Sequence, residues 1–340
     1  MKSIPNFELP KTMNALVLTK FNGNPQVQEV AVPTPGKGQI LVKIDSSPIN
    51  PSDNSFLKGL YSTKKTLPVI AGFEASGVVV ASGNDFMSKR LLGKSVACFA
   101  PMDGDGSWAE YMVTGNKTAI PLKKNVTLEQ GSMLLVNPLS VIAMIELAKK
   151  GKHKAIANSA AASALGTMLN RMCIDNGIAL VNIVRREDQV ELLKGQGATY
   201  IINSSSKTFK QDLSKIFSEL NVRLAFDAIA GQMTFDLLDA LNAGGEVKVY
   251  GGLSEQAAMA NPGRLIFENK KVSGFWLSEW IMHQSLLKML KHFNKIQKYL
   301  AEIHQTTVHQ RVGLNGAVAG LATYMENMTA GKVLVKPGLK

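Results

Sequence analysis

Only two of the 340 residues are cysteine, Cys98 and Cys173. Two thiols cannot build a disulfide framework or a four-thiolate zinc centre, and their scarcity fits a reducing compartment. Long apolar runs are missing too, none approaching the roughly 18 residues that a membrane-spanning helix needs. The opening stretch has neither the apolar core of a secretory signal nor the Arg-rich, acid-poor pattern of a transit peptide, so the expectation is a cytoplasmic protein with no membrane association. Aromatic residues make up only 6% of the chain and do not alternate with basic ones. The paired lysines, Lys64-Lys65, Lys123-Lys124, Lys149-Lys150 and Lys270-Lys271, are dispersed rather than gathered in one arm. That distribution argues against a nucleic-acid partner without excluding one.

Acid is in deficit. Against 38 Lys and Arg stand 26 Asp and Glu, a net charge of +12. Such an excess attracts anions at long range, whether phosphate-bearing cofactors, coenzyme A thioesters, acidic carrier proteins or RNA, and it also serves simple solubility. A chain of this length exceeds what one hydrophobic core usually serves, which predicts two domains.

Up to residue 126 the chain reads as short strands cut by Pro and Gly, among them MNALVLTKF, GFEASGVVVASG and KSVACFA, the texture of a mostly β domain. At Thr127 this changes: Thr127 and Gln130 have the spacing of a capping box, and Asn137-Pro138 offers a second helix start. From Lys154 strands and helices alternate through KAIANSA, ALVNIV, TYIINS, LAFDAIA and EVKVYGG. That order predicts an α/β fold with a doubly wound parallel sheet over residues 127–285. The remainder, 286–340, ends in KVLVKP, a segment suited to rejoin the first domain, 1–126.

The stretch Ala155–Gly166, AIANSAAASALG, takes a buried strand into a helix through a turn of very small residues. Such a turn lets a dinucleotide diphosphate reach the helix N–H groups, because any side chain beyond Cβ would hold the phosphates off. The glycines of the GxGxxG pattern appear here as Ala161, Ser163 and Gly166, and Ser159, Ala162, Ala164 and Leu165 complete the expected contact set. The next strand ends in Arg185-Arg186, where an NAD-selective site places an acid on the ribose 2′-hydroxyl. A guanidinium there suits a 2′-phosphate and favours NADPH over NADH. Ala228 and Ala230 after one later strand, and Tyr250, Gly251 and Gly252 after another, stand at strand ends that face the same ligand.

At this point the sequence resembles a family. GFEASGVVVASG (72–83), the small-residue loop, YGG (250–252) and MTAGKVLVKP (328–337) are similar to the zinc-independent medium-chain dehydrogenase/reductase superfamily. INPSD (49–53), NPLSV (137–141), NIVRR (182–186) and LIFENKKVSGFWLSEW (265–280) resemble its quinone oxidoreductase and 2-enoyl thioester reductase branch. The resemblance implies a GroES-like substrate domain built from both chain ends, a Rossmann domain between them, an active site in the cleft between the two, and a homodimer paired through the strand Val272–Leu277. It adds Asn137, Trp276 and Leu277 to the cofactor set. Zinc-dependent members carry Cys where this chain has Asn50 and His where it has Phe73; Glu74 alone remains, and one carboxylate does not make a catalytic zinc site. His153, His283, His292, His304 and His309 have no metal spacing.

Without a Lewis acid the acceptor must already be electrophilic through conjugation, such as a quinone, an enone or an enoyl thioester. By the resemblance, Tyr61 in FLKGLYST is the proton donor and Asn50 a second catalytic residue that orients substrate or the cofactor amide. Asp53 either assists it or caps a turn, and Trp276 and Trp280 wall the acceptor pocket, with core packing as the alternative role for Trp276. A different class of function also fits, an NADPH-binding protein of low turnover that acts by contacting RNA or a protein complex.

Overall fold

The structure, a computed structural model, describes residues 8–62, 65–302 and 306–339. The start of the first domain, Lys64, His304 and the final Lys340 lie outside the described residues. Two compact units emerge: one runs to Val136 and resumes at Leu290, and the other is Asn137–Met289.

The first unit contains β1 (Thr12–Leu18), β2 (Gln26–Ala31), β3 (Gln39–Pro48), β4 (Val69–Ile70), β5 (Glu74–Ser82), β6 (Ser95–Phe99), β7 (Tyr111–Gly115) and β8 (Ala119–Pro121). The second contains β9 (Ala155–Asn158), β10 (Ala179–Val184), β11 (Tyr200–Asn203), β12 (Leu224–Asp227), β13 (Glu246–Val249) and β14 (Lys271–Gly274). After it, β15 (Val308–Val312) and β16 (Lys332–Val335) return to the first.

In the first unit β2, β1 and β4 form one sheet, and β15, β16, β3, β5, β6 and β8 follow one another in a second, with β7 also paired to β3. Period-two patterning shows at the start of β1, where Met13 and Ala15 turn inward while Thr12 and Asn14 face out. KVLVKP rejoins this domain as β16, antiparallel to β3 with Leu334 opposite Pro48 and Val335 opposite Ser47. All four residues of β16 are buried, which holds the end of the chain in place.

The capping box at Thr127 is present: the Gln130 N–H donates to Thr127 Oγ1 at 3.2 Å, and the Thr127 N–H donates to Gln130 Oε1 at 3.3 Å. The helix it opens, Leu128–Ser132, packs on β3, β5 and β6. It therefore belongs to the first unit, and the boundary between units falls after Val136 rather than at 127.

In the second unit the strand order is β11, β10, β9, β12, β13, β14, and every neighbouring pair is parallel. Helices Ala164–Asp175, Glu187–Gly195, Phe209–Glu219 and Gln232–Ala240 supply crossovers. Phe209, Leu213 and Phe217 recur at helical spacing and are buried against Val181, Ala225 and Val247 of the sheet. Each such side chain contributes about 1.5–3 kcal/mol by leaving water. Strand order reverses between β9 and β12, the place where doubly wound sheets open a ligand crevice. The last strand differs from expectation. It covers Lys271–Gly274 rather than Val272–Leu277, because Trp276 becomes the N-cap of a helix, Leu277–Met282.

Candidate dinucleotide site and a buried charge network

β9 is buried along its whole length and passes through Ser159–Ser163 into the helix Ala164–Asp175. Ser163 caps that helix, its Oγ accepting from the Gly166 N–H at 3.1 Å. Ala161 and Ala162 are buried. A Cβ added at Gly166 would lie 2.3 Å from the Ala161 carbonyl oxygen and 2.7 Å from its Cα. Of the three glycine positions in the pattern, this is the one that helix-to-strand packing forbids to any other residue. No acidic side chain occupies the first turn of the helix, so its N–H groups are electrostatically suited to a phosphate.

Two further strand ends join this loop. Asp227 closes β12 fully buried, and its Oδ1 accepts from Ser159 Oγ at 2.7 Å and from the Ile229 N–H at 2.9 Å. Its Oδ2 accepts from the Ala230 N–H at 3.2 Å and from Thr234 Oγ1 at 2.6 Å. Ser159 Oγ in turn accepts from the Ala228 N–H at 2.8 Å. After β13, the Tyr250 hydroxyl donates to Asn158 Oδ1 at 3.0 Å. Burial pushes the Tyr250 phenol above its ordinary range, and the Asp227 charge adds to this, so the hydroxyl remains a donor. Gly251 approaches closely enough that a Cβ there would meet the Ala228 carbonyl oxygen at 2.7 Å. Asn158 Nδ2 is buried with no hydrogen-bond partner among the described residues. The small-residue cradle and this orphaned donor fit a bound dinucleotide.

At the end of β10 the two arginines differ. Arg186 forks onto its neighbour Asp188, with Nε and Nη2 at 3.1 and 3.2 Å from the two carboxylate oxygens. Arg185 is exposed, and among the described residues its guanidinium has no partner. Gln189 Oε1 accepts from the backbone N–H of both, at 3.0 Å for Arg185 and 3.2 Å for Arg186. The serines after β11 lie against this turn: the Ser204 N–H donates to the Val184 carbonyl at 2.7 Å and Ser205 Oγ to the Arg185 carbonyl at 2.8 Å. Asn137, half-buried in the helix Val136–Lys150, is outside the hydrogen-bonded cluster. Gly252 follows Gly251 in the turn after β13, while Trp276 and Leu277 stand just past β14, where the Phe275 N–H donates to the Val249 carbonyl at 2.8 Å.

In the first unit, half-buried Tyr61 rests on Phe73 with ring centroids 4.8 Å apart, and Phe73 meets Phe56 edge-on at 5.5 Å. Asn50 caps the helix Pro51–Leu57 and is 2% exposed. Its Nδ2 donates to Glu74 Oε1 at 2.9 Å, its Oδ1 accepts from Lys332 Nζ, and its N–H donates to Asp53 Oδ2 at 2.7 Å. Glu74 Oε2 accepts from the Val136 N–H at 3.0 Å. Lys332 Nζ also donates to the Ile49 carbonyl at 3.0 Å and lies 4.9 Å from the Tyr324 ring centroid. Both ends of the Asn50 carboxamide are thus hydrogen-bonded inside the first unit. Asp53 does cap a turn. Burial pushes its carboxyl up to about 7 and raises that of Glu74 as well.

Models of two families match the chain, the "alcohol dehydrogenase GroES-like domain" over residues 36–124 and "zinc-binding dehydrogenase" over 164–295. A mitochondrial enoyl-[acyl-carrier-protein] reductase of Caenorhabditis elegans is 30% identical over 287 residues, covering 80% of each chain. A candidate NADPH:quinone reductase from Mesorhizobium loti is similar across 97% of this chain and 100% of its own, at 32% identity and a TM-score of 0.90. The chain belongs to the medium-chain dehydrogenase/reductase superfamily, in its quinone and enoyl reductase branch. The same fold recurs in a mycobacterial protein solved with NADPH, at 20% identity and a TM-score of 0.80 over 96% of this chain and all of its own.

Within that superfamily the site also depends on residues beyond the expected contact set. Asp227, at a strand end expected to face the ligand, ties the loops after β9 and β12 together with Thr234, for which the sequence held no signal. Ser204 and Ser205 brace the arginine turn, and their signal was a run of hydroxyls directly after β11. Lys332 had none, being one lysine among many. Among the described residues no three His, Cys, Asp or Glu side chains gather so as to hold a metal ion. Burial pushes the Cys98 thiol up to about 12. No helix among those residues is long and apolar enough to cross a membrane.

Proposed function

We propose that this oxidoreductase uses NADPH to reduce a conjugated acceptor without zinc. The observation that carries the reading is the cradle of Ala161, Ala162 and Gly166 at an acid-free helix N-terminus, with the uncommitted Arg185 guanidinium at the end of the adjoining strand. When bound, the cofactor would supply the hydride that reduces the conjugated acceptor. Helix N–H groups and the Ser163 loop would hold the diphosphate, and Arg185 would fork onto the 2′-phosphate. Tyr61 donates a hydrogen bond to the acceptor oxygen as it gains charge, and supplies the proton that completes reduction. The net charge of +12 and the enoyl-[acyl-carrier-protein] reductase relatives favour an enoyl thioester over a quinone.

Initial rates of NADPH and NADH oxidation, measured with crotonyl and longer enoyl thioesters beside a quinone panel, test this. The expected result is NADPH-selective turnover of enoyl thioesters, and no oxidation with any acceptor rejects it. Tyr61→Phe is expected to lower kcat by about 100-fold or more with NADPH affinity kept.

The reading includes a homodimer. β14 ends the parallel sheet and leaves an edge open for pairing, and Ile266, Phe267, Met282, Leu286 and Leu287, near it in sequence, are exposed apolar residues. Sedimentation of the parent protein as a dimer and of Phe267→Glu as a monomer is the expected outcome.

A further inference from the structure

We infer that Lys332 is a positioning residue for Tyr61, acting through the Asn50 and Glu74 side chains that its ammonium organises. The inference rests on the reading of Tyr61 as the proton donor. Lys332 is 1% exposed, and a lysine so deeply enclosed is kept only where its charge is compensated. The compensation is visible: the Ile49 carbonyl, Asn50 Oδ1 and the face of Tyr324 surround the ammonium, and Asn50 relays it to Glu74.

Two carboxyls share this interior with Lys332, while the buried Lys65 also acts on Asp53, and the hydrogen bonds of the carboxyls differ. Glu74 accepts from Asn50 Nδ2 on one oxygen and from the Val136 N–H on the other, so it is built to carry the negative charge opposite Lys332. Asp53 Oδ2 accepts from the Asn50 N–H, but Oδ1 is buried without a hydrogen-bond partner among the described residues, which suits a carboxyl that holds its proton more readily than Glu74. Between these groups the Asn50 carboxamide has one orientation, oxygen toward Lys332 and nitrogen toward Glu74.

The link to Tyr61 is geometric. Asn50 caps the helix that carries Phe56, and Glu74 opens β5 directly after Phe73. Phe56 packs on Phe73, and Phe73 supports the Tyr61 ring. Lys332, 282 positions from Asn50 in sequence, thus sets the spacing of the two rings beneath the tyrosine. Displacement of a catalytic group by about 1 Å can cost on the order of 100-fold in rate, so a residue that never touches substrate can govern turnover in this way.

The test uses the full chain labelled with 3-fluorotyrosine, with the Tyr61 fluorine signal assigned by its loss in Tyr61→Phe. In Lys332→Met, the Tyr61 signal is expected to move or broaden while those of Tyr200 and Tyr250 stay in place. Turnover should fall roughly 10- to 100-fold with NADPH affinity unchanged, Lys332→Arg should restore part of it, and Lys332→Met added to Tyr61→Phe should cost nothing more. Should Lys332→Met fail to fold, the pair Lys332→Met and Glu74→Gln, which removes both charges together, carries the same comparison. An unmoved Tyr61 signal, or losses that add in the double variant, overturns the inference and leaves the proposed function standing. Unchanged turnover in Tyr61→Phe alone overturns Tyr61 as donor, and the inference with it.

Discussion

Ser159 and Asp227 stand 68 positions apart in sequence and meet at 2.7 Å, where the carboxyl ends of β9 and β12 adjoin. This is where the strand order reverses, and the bond joins the loop expected to receive a diphosphate to the loop that follows the other half of the sheet. Asp227 accepts four hydrogen bonds there, two from backbone and two from hydroxyls, so the shape of both loops depends on one carboxylate.

Replacing that carboxylate by an amide sets an NH2 against donors. Asp227→Asn is expected to lose about 1–3 kcal/mol of stability, read as a lower urea midpoint, together with a severalfold weaker NADPH Kd by calorimetry. A variant as stable as the parent would show that the loops are held by other contacts.

Gly166→Ala puts a Cβ against the Ala161 backbone, which has no flexible end to move aside. A loss of about 3 kcal/mol or more is expected, the upper part of the range for overpacked sites, with NADPH binding abolished. Gly252→Ala, whose Cβ would meet no heavy atom within 4 Å, serves as the contrast and should unfold at nearly the parental temperature.

The two arginines should separate. Arg186 is already bonded to Asp188, so Arg185→Ala is expected to raise the NADPH Kd by about 10-fold or more and to leave NADH binding unchanged. Arg186→Ala should do less. Equal losses for the two cofactors would remove the 2′-phosphate assignment.

Asp53 makes stability depend on pH with a definite sign. Its carboxyl lies at about 7 in the folded chain against an ordinary 3.8, with burial as the main cause. Between those values the folded state holds a proton that the unfolded state has released, so this contribution is complete below pH 3.8 and is lost as pH rises to about 7. Asp53→Asn should therefore gain on the parent protein as pH is raised across that window. Parallel stability curves, measured by chemical denaturation at each pH, would contradict it.

Much of the second unit was legible because its signals are local. A buried strand such as ALVNIV, and a helix with Phe209, Leu213 and Phe217 at one face, each lie within a few residues, where periodicity operates, as does the Thr127 capping box of the first unit. The strand expected over Val272–Leu277 ended early because nothing in its apolar sequence announces that Trp276 will cap a helix. The side-chain partners of Asn50 were not legible in its own segment, INPSD. Its actual partners are 24 positions away at Glu74 and 282 away at Lys332, beyond the reach of any pattern.

By itself the amino-acid order determined the α/β alternation, the small-residue turn at Ala161–Gly166 and the arginines after β10, since each needs only the conformational preferences of adjacent residues. Tertiary structure alone decided which carboxylate joins the loops, which arginine stays uncommitted, and where the ammonium of Lys332 comes to lie. Those outcomes depend on groups brought together from opposite ends of the chain, where burial strengthens every charge and hydrogen bond that finds a partner and penalises every one that does not.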